Sequence, residues 1–177
     1  MKIEINEKGS KEFYKETVNA VSQYNRLKKD PKRKLKDYFR TFRIYIILSS
    51  VMLVINALMW IFWGTDQFTI AVAALMIICI AMSAAFLHSM NKLQNSMMSD
   101  GSTSVLTIYE SGVELNKGDL QIIKSSWDNL AFVRVFSESL CFFPKDRSGI
   151  VISVDRKYQD RIVPYIESLP VDVMIVK

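Results

Sequence analysis

IYIILSSVMLVINALMWIFW, residues 44–63, is followed by GTDQ, residues 64–67, and by FTIAVAALMIICIAMSAAFL, residues 68–87. Each outer run is twenty residues without a formal charge, and a helix of that length rises roughly 30 Å, the thickness of a bilayer's hydrocarbon core. A buried helix of a soluble protein normally keeps a polar stripe, and neither run has one. The pair therefore predicts two transmembrane helices in a tight antiparallel hairpin with residues 64–67 as its external turn. Trp60, Phe62, Trp63 and Phe68 surround that turn as an interfacial aromatic belt does. Within the spans the polar residues are Ser49, Ser50, Asn56, Thr69 and Ser83. Asn56 is suited to hydrogen-bond across a helix interface, within the hairpin or to another subunit. No acid or base lies inside either span, which argues against an ion or proton relay and so against an autonomous channel or pump.

Outward from the hairpin, charge is sharply segregated. The 177 residues carry a net +5. Residues 1–25 are neutral, residues 26–43 hold nine Lys and Arg against Asp30 and Asp37, and residues 100–177 come to −2. The excess is thus one basic block, Arg26, Lys28, Lys29, Lys32, Arg33, Lys34, Lys36, Arg40 and Arg43, abutting the first apolar run. That placement speaks against a nucleic-acid-binding domain, in which the cations would be spread over a soluble surface. By the positive-inside rule it places both termini in the cytoplasm of a multi-pass plasma-membrane protein. The first span starts too far along the chain, and is too long, to be a cleavable signal peptide. The block's cations Lys28, Lys29, Lys32, Arg33, Lys34, Lys36, Arg40 and Arg43 are candidate contacts for anionic lipid headgroups, each worth on the order of 1 kcal/mol near the surface. The plainer alternative is a topology determinant with no specific ligand.

Ahead of the block, residues 2–6 alternate as a short strand and Ser10 is placed to cap a helix. Phe13, Thr17, Val18, Val21 and Tyr24 then recur at helical spacing, a stripe that needs a partner. Residues 11–25 lack the cationic excess of a membrane-surface helix, so the expected partner is the protein's own β-rich region. A helix running into the bilayer is expected to resume from Leu35. After the spans, residues 88–104 read as a polar extension and linker. Short strands are expected at residues 105–109, 113–115, 120–124, 131–136, 140–143 and 150–154, separated by turns such as Asn116-Lys117-Gly118-Asp119. This spacing indicates an antiparallel sheet or barrel rather than βαβ units. A helix with Tyr158, Ile162, Tyr165, Ile166 and Leu169 on one face follows, starting near Asp160 or kinked by Pro164, and Pro170 ends it. Residues 171–176 are expected to add a last strand or to lie along an edge.

Parts for chemistry are few. His88 is the one histidine, Cys79 and Cys141 have no CxxC partner, and the sequence holds no phosphate-binding glycine loop or GxSxG elbow. Neither an enzyme, a metal centre nor a cofactor is expected.

The stretch Leu106-Thr-Ile-Tyr-Glu-Ser-Gly-Val-Glu-Leu115, with Ser125-Ser-Trp-Asp-Asn-Leu130 and Phe142-Phe-Pro-Lys145, resembles the C-terminal domain of YcxB-like bacterial membrane proteins. The layout is similar too: strand, helix, basic segment, two spans, small β domain. The resemblance implies a pleckstrin-homology-like fold, an antiparallel β structure closed by a C-terminal helix, and it implies no activity. Trp127 anchors the match and is the candidate fold anchor, large enough to plug one end of a small barrel. After Pro144-Lys145 the chain departs from the family pattern. Either Asp155-Arg156-Lys157-Tyr158 is the true equivalent, or residues 150–154 are an inserted strand.

The reading is an α+β membrane protein divided as residues 1–43 (strand, amphipathic helix, basic segment), 44–63, 64–67, 68–87, 88–104 (linker) and 105–177 (β domain). Its expected role is non-enzymatic: membrane lipids and an unidentified protein are the partners, and an oligomer is possible. An immunity protein acting against a toxin at the membrane, and an anionic-lipid sensor, are the alternatives.

Overall fold

In the computed structural model the described residues are 1–5, 9–99, 104–117, 121–146 and 150–177. They form β1 (Lys2–Ile5), α1 (Lys11–Ser22), α2 (Tyr24–Lys29), α3 (Tyr38–Trp63), α4 (Gln67–Ser99), β2 (Ser104–Ile108), β3 (Gly112–Lys117), β4 (Gln121–Ser126), β5 (Leu130–Val135), β6 (Ser139–Pro144), β7 (Ile152–Asp155), α5 (Gln159–Glu167) and β8 (Met174–Val176). Asn6 of the first expected strand, linker residues 100–103, Gly118, Asp119 and Leu120 of the expected turn and strand, and residues 147–149 lie outside them. Two compact units result: Met1–Leu35 with Ser96–Lys177, and Lys36–Asn95.

The second unit is the helical hairpin. Gly64 separates its helices: its φ of 84° is a conformation that costs a residue with a Cβ, and its N–H closes α3 on the Trp60 carbonyl at 3.1 Å. Asp66 then opens α4, its Oδ1 accepting from the Thr69 N–H at 2.6 Å while Thr69 Oγ1 donates to the Asp66 carbonyl at 3.0 Å. α3 and α4 are long and apolar enough to cross a membrane, and only 6 % and 11 % of their most apolar windows are buried. Phe42 and Phe86, with centroids 4.3 Å apart, join the helices far from the turn. Asn56, Ala73 and Ser83 are the small or polar buried positions between the two ends.

Both helices are longer than their uncharged runs. α3 starts at Tyr38 because Asp37 caps it, Oδ1 accepting from Arg40 N–H at 3.1 Å. α4 continues to Ser99, so residues 88–99 are helix rather than linker. They contain no Gly or Pro, and six of the twelve, Met90, Lys92, Leu93, Gln94, Met97 and Met98, are strong helix formers.

The first unit takes strands from both flanks of the hairpin. In one antiparallel sheet, ordered β1-β2-β3-β4, Ile3 pairs with Leu106, Leu106 with Leu115 and Leu115 with Ile123, a single apolar row across four strands. The second sheet is ordered β7-β6-β5-β8. Its inward row Leu140, Phe142, Val133, Ile152 and Val154 meets the first sheet and Ile162, Val163 and Ile166 of α5 in one core. Its other face carries Phe132, Cys141 and Phe143, which pack with Ala20, Tyr24 and Leu27 of α1 and α2. All six residues of β6 are consequently buried, and Phe132 and Phe143 stack at 4.5 Å.

α1–α2 pack on the β-rich region as their apolar stripe suggests, and β1 adds an edge strand to the first sheet. One expectation changes: the β region is not purely antiparallel, since β8 pairs parallel to β5, because α5 supplies the crossover that parallel strands require. α5 begins at Gln159 and holds Pro164 within it.

Candidate functional site

The basic block is distributed over three elements. Lys28 and Lys29 end α2, Lys32, Arg33 and Lys34 lie in the loop after it, and Arg40 and Arg43 sit on the first turns of α3; Lys36 precedes α3. All eight candidate cations are exposed. The first five belong to the β-rich unit and the last three to the hairpin unit. Asp30 Oδ1 accepts from the Lys32 backbone N–H at 3.2 Å, and Asp37 caps α3.

The loop is held onto the second sheet by hydrogen bonds at its base. Arg134, mid-strand in β5, donates from Nη1 to the carbonyls of Pro31 at 2.6 Å and Arg33 at 2.7 Å. Its guanidinium also lies over the Phe136 ring, 4.6 Å from the centroid. Burial lowers the Arg134 pKa from its ordinary value, opposed by Asp30 and Glu16, and arginine stays charged through the physiological range. Lys28 Nζ donates to the Lys145 carbonyl. Tyr24 Oη donates to the carbonyls of Pro144 at 2.7 Å and Lys145 at 3.0 Å, and burial, with Asp146 nearby, pushes its pKa up.

A second attachment lies at the β5–β6 turn. The Glu16 carboxylate of α1 accepts from Ser137 N–H at 3.1 Å, Glu138 N–H at 2.8 Å and Ser139 Oγ at 2.8 Å. Arg134 and Glu16 were not among the residues singled out from sequence. Arg134 had a signal, as the one cation inside the apolar strand Leu-Ala-Phe-Val-Arg-Val; Glu16 had none, since its partners lie more than a hundred residues away.

Trp127 occupies a short 3-10 turn between β4 and β5, is 6 % exposed, and donates from Nε1 to the Tyr109 carbonyl at 3.1 Å. Its place is the main core, among β2, β3 and α5 side chains. The first sheet ends on β4, which among the described residues pairs only with β3, and Ile122 on it is exposed. Cys141 is fully buried between sheet and helix, with Ser153 Oγ at 3.3 Å, and burial pushes its pKa up to about 11. His88 is exposed on α4. Among the described residues no group of three His, Cys, Asp or Glu is placed to hold a metal ion. The chain matches no family model, no curated protein and no solved structure.

Proposed function

We propose that this is a non-enzymatic, membrane-anchored protein whose cytoplasmic β domain serves as a protein-interaction module. The observation that carries the reading is the open edge of the first sheet. Among the described residues β4 has a neighbour on one side only, and Ile122 on it is 56 % exposed. An edge of this kind offers unpaired backbone groups and an apolar side chain to an added strand.

Membrane placement is supported by the apolar surface of the hairpin, where Ile61, Phe62, Trp63 and Phe68 are each more than 70 % exposed, an arrangement unfavourable in water. Pairing of β1 with β2 joins the two flanks of the hairpin in one sheet, which favours both on the same side; the basic block favours the cytoplasmic side. Two four-stranded sheets with α5 packed in their common core, between β7 and β8 in the chain, are compatible with the pleckstrin-homology-like architecture that a YcxB-like relationship implies.

Photo-crosslinking in cells from position 122, with Glu110 as an exposed control, tests the interaction. A discrete adduct from 122 and none from 110 is expected. No adduct, together with a monomer free of partners in mild detergent, overturns the reading.

A further inference from the structure

The basic loop after α2 displays a cluster of cations. Lys29, Lys32, Arg33 and Lys34 are exposed, and none of their side chains has a hydrogen-bond or ion-pair partner among the described residues. Four such cations within six residues repel one another, and that repulsion is relieved by an anion rather than by water alone. The backbone beneath them is fixed: Arg134 holds the Pro31 and Arg33 carbonyls from one nitrogen, and Lys28 reaches the Lys145 carbonyl. Only Leu35, Lys36 and Asp37 separate Lys34 from α3.

We propose that the loop from Lys29 to Lys34 is a binding site for the phosphodiester headgroup of an anionic phospholipid, with Arg134 as its positioning residue. Arg134 does not touch the lipid. By bridging two carbonyls of the loop it keeps Lys32, Arg33 and Lys34 displayed together, so that less ordering entropy is lost on binding. The inference rests on the membrane placement proposed above and is independent of the β4 edge.

The test uses the full chain in detergent, titrated with phosphatidylglycerol or phosphatidylcholine, with retained lipid read by native mass spectrometry. Phosphatidylglycerol is expected to bind more tightly. The triple variant Lys32→Ala, Arg33→Ala, Lys34→Ala is expected to weaken it by about fivefold per cation, roughly a hundredfold in all, and to leave phosphatidylcholine unchanged. Arg134→Met keeps an apolar stem but removes both donations to the loop carbonyls. It is expected to reduce the preference for phosphatidylglycerol several-fold, whereas a merely structural role lowers the melting temperature without moving that preference.

In the wild type, the backbone amides of residues 30 and 32–35 are expected to exchange more slowly in phosphatidylglycerol nanodiscs than in phosphatidylcholine ones. Equal exchange, or unaltered preference in the triple variant, overturns the proposal. Displacement of the lipid by millimolar inorganic phosphate or glycerol phosphate assigns the site to a soluble anion and overturns the lipid assignment. Release of the chain from membranes by alkaline carbonate instead overturns the membrane placement, a separate result from loss of headgroup preference in a chain that stays in the pellet.

Discussion

Glu16 and Cys141 stand on either side of the contact between α1 and the second sheet, and each tests it differently. Glu16 accepts three hydrogen bonds from the turn at 137–139; bonds to a charged acceptor contribute about 1.5–3 kcal/mol when sheltered, and less at a partly exposed site. Glu16→Ala is expected to destabilise the β-rich unit by about 1–2 kcal/mol, read as a lowered midpoint of chemical unfolding. An unchanged midpoint removes the turn contact from the energetics. Cys141 is fully buried, with its pKa raised to about 11 from an ordinary 9.0. A raised thiol pKa means that the folded state keeps its proton while the unfolded state loses it. Its stabilising contribution is therefore full below pH 9 and is lost as pH rises from 9 towards 11. At pH 8 the thiol is expected to resist a maleimide in the folded protein and to react on unfolding; fast native labelling of Cys141 contradicts the burial.

The elements differ in how they are encoded. α3 and α4 follow from composition alone, and their polar extensions needed only the absence of Gly and Pro from residues 65–99. The cap is local as well. The Asp66 pKa is lowered by hydrogen bonds from Thr69, so its contribution to the hairpin is present at neutral pH and is lost as pH falls through the lowered value. Asp66→Ala is expected to fray the start of α4, seen as faster exchange of the Thr69 amide at pH 7 with little difference between variant and wild type in acid. Strand positions were legible from turns and apolar runs, but pairing was not. β1 joins β2 across more than a hundred residues, and no local pattern marks that partnership. Leu-Cys-Phe-Phe in β6 did carry a clue: an unbroken apolar run means burial on both faces, which calls for a cover such as α1–α2. The cations of the candidate site were equally plain in sequence, whereas the Arg134 bridge beneath them depends on β5 lying against the loop after α2. Phe143, stacked on Phe132 and buried beneath that cover, reports the same packing. Phe143→Ala is expected to cost about 3–5 kcal/mol, and a loss under 1 kcal/mol means that the helices do not seal this face.

For the molecule as a whole, the shared sheet restricts the topologies open to it. Because β1 and β2 are hydrogen-bonded neighbours, a folded β-rich unit requires both flanks of the hairpin on one side, so either both helices cross the membrane or neither does. A single crossing would separate β1 from β2 and forfeit the row Ile3, Leu106, Leu115 and Ile123. Under the proposed membrane placement, the positive-inside rule assigns the side to the basic block, through the cations closest to the first span. In intact cells a cysteine introduced as Thr65→Cys is expected to react with a membrane-impermeant maleimide, and one introduced as Lys32→Cys only after permeabilisation. Replacing Lys32, Arg33, Lys34, Lys36, Arg40 and Arg43 by Glu is expected to give a mixture of the two hairpin orientations, with Thr65→Cys protected in a fraction of the molecules. Every protease-resistant molecule is expected to have residues 32 and 137 on the same side. A resistant form with those residues on opposite sides breaks the link between strand pairing and topology, and Thr65→Cys reactive only after permeabilisation in the unaltered background reverses the orientation itself.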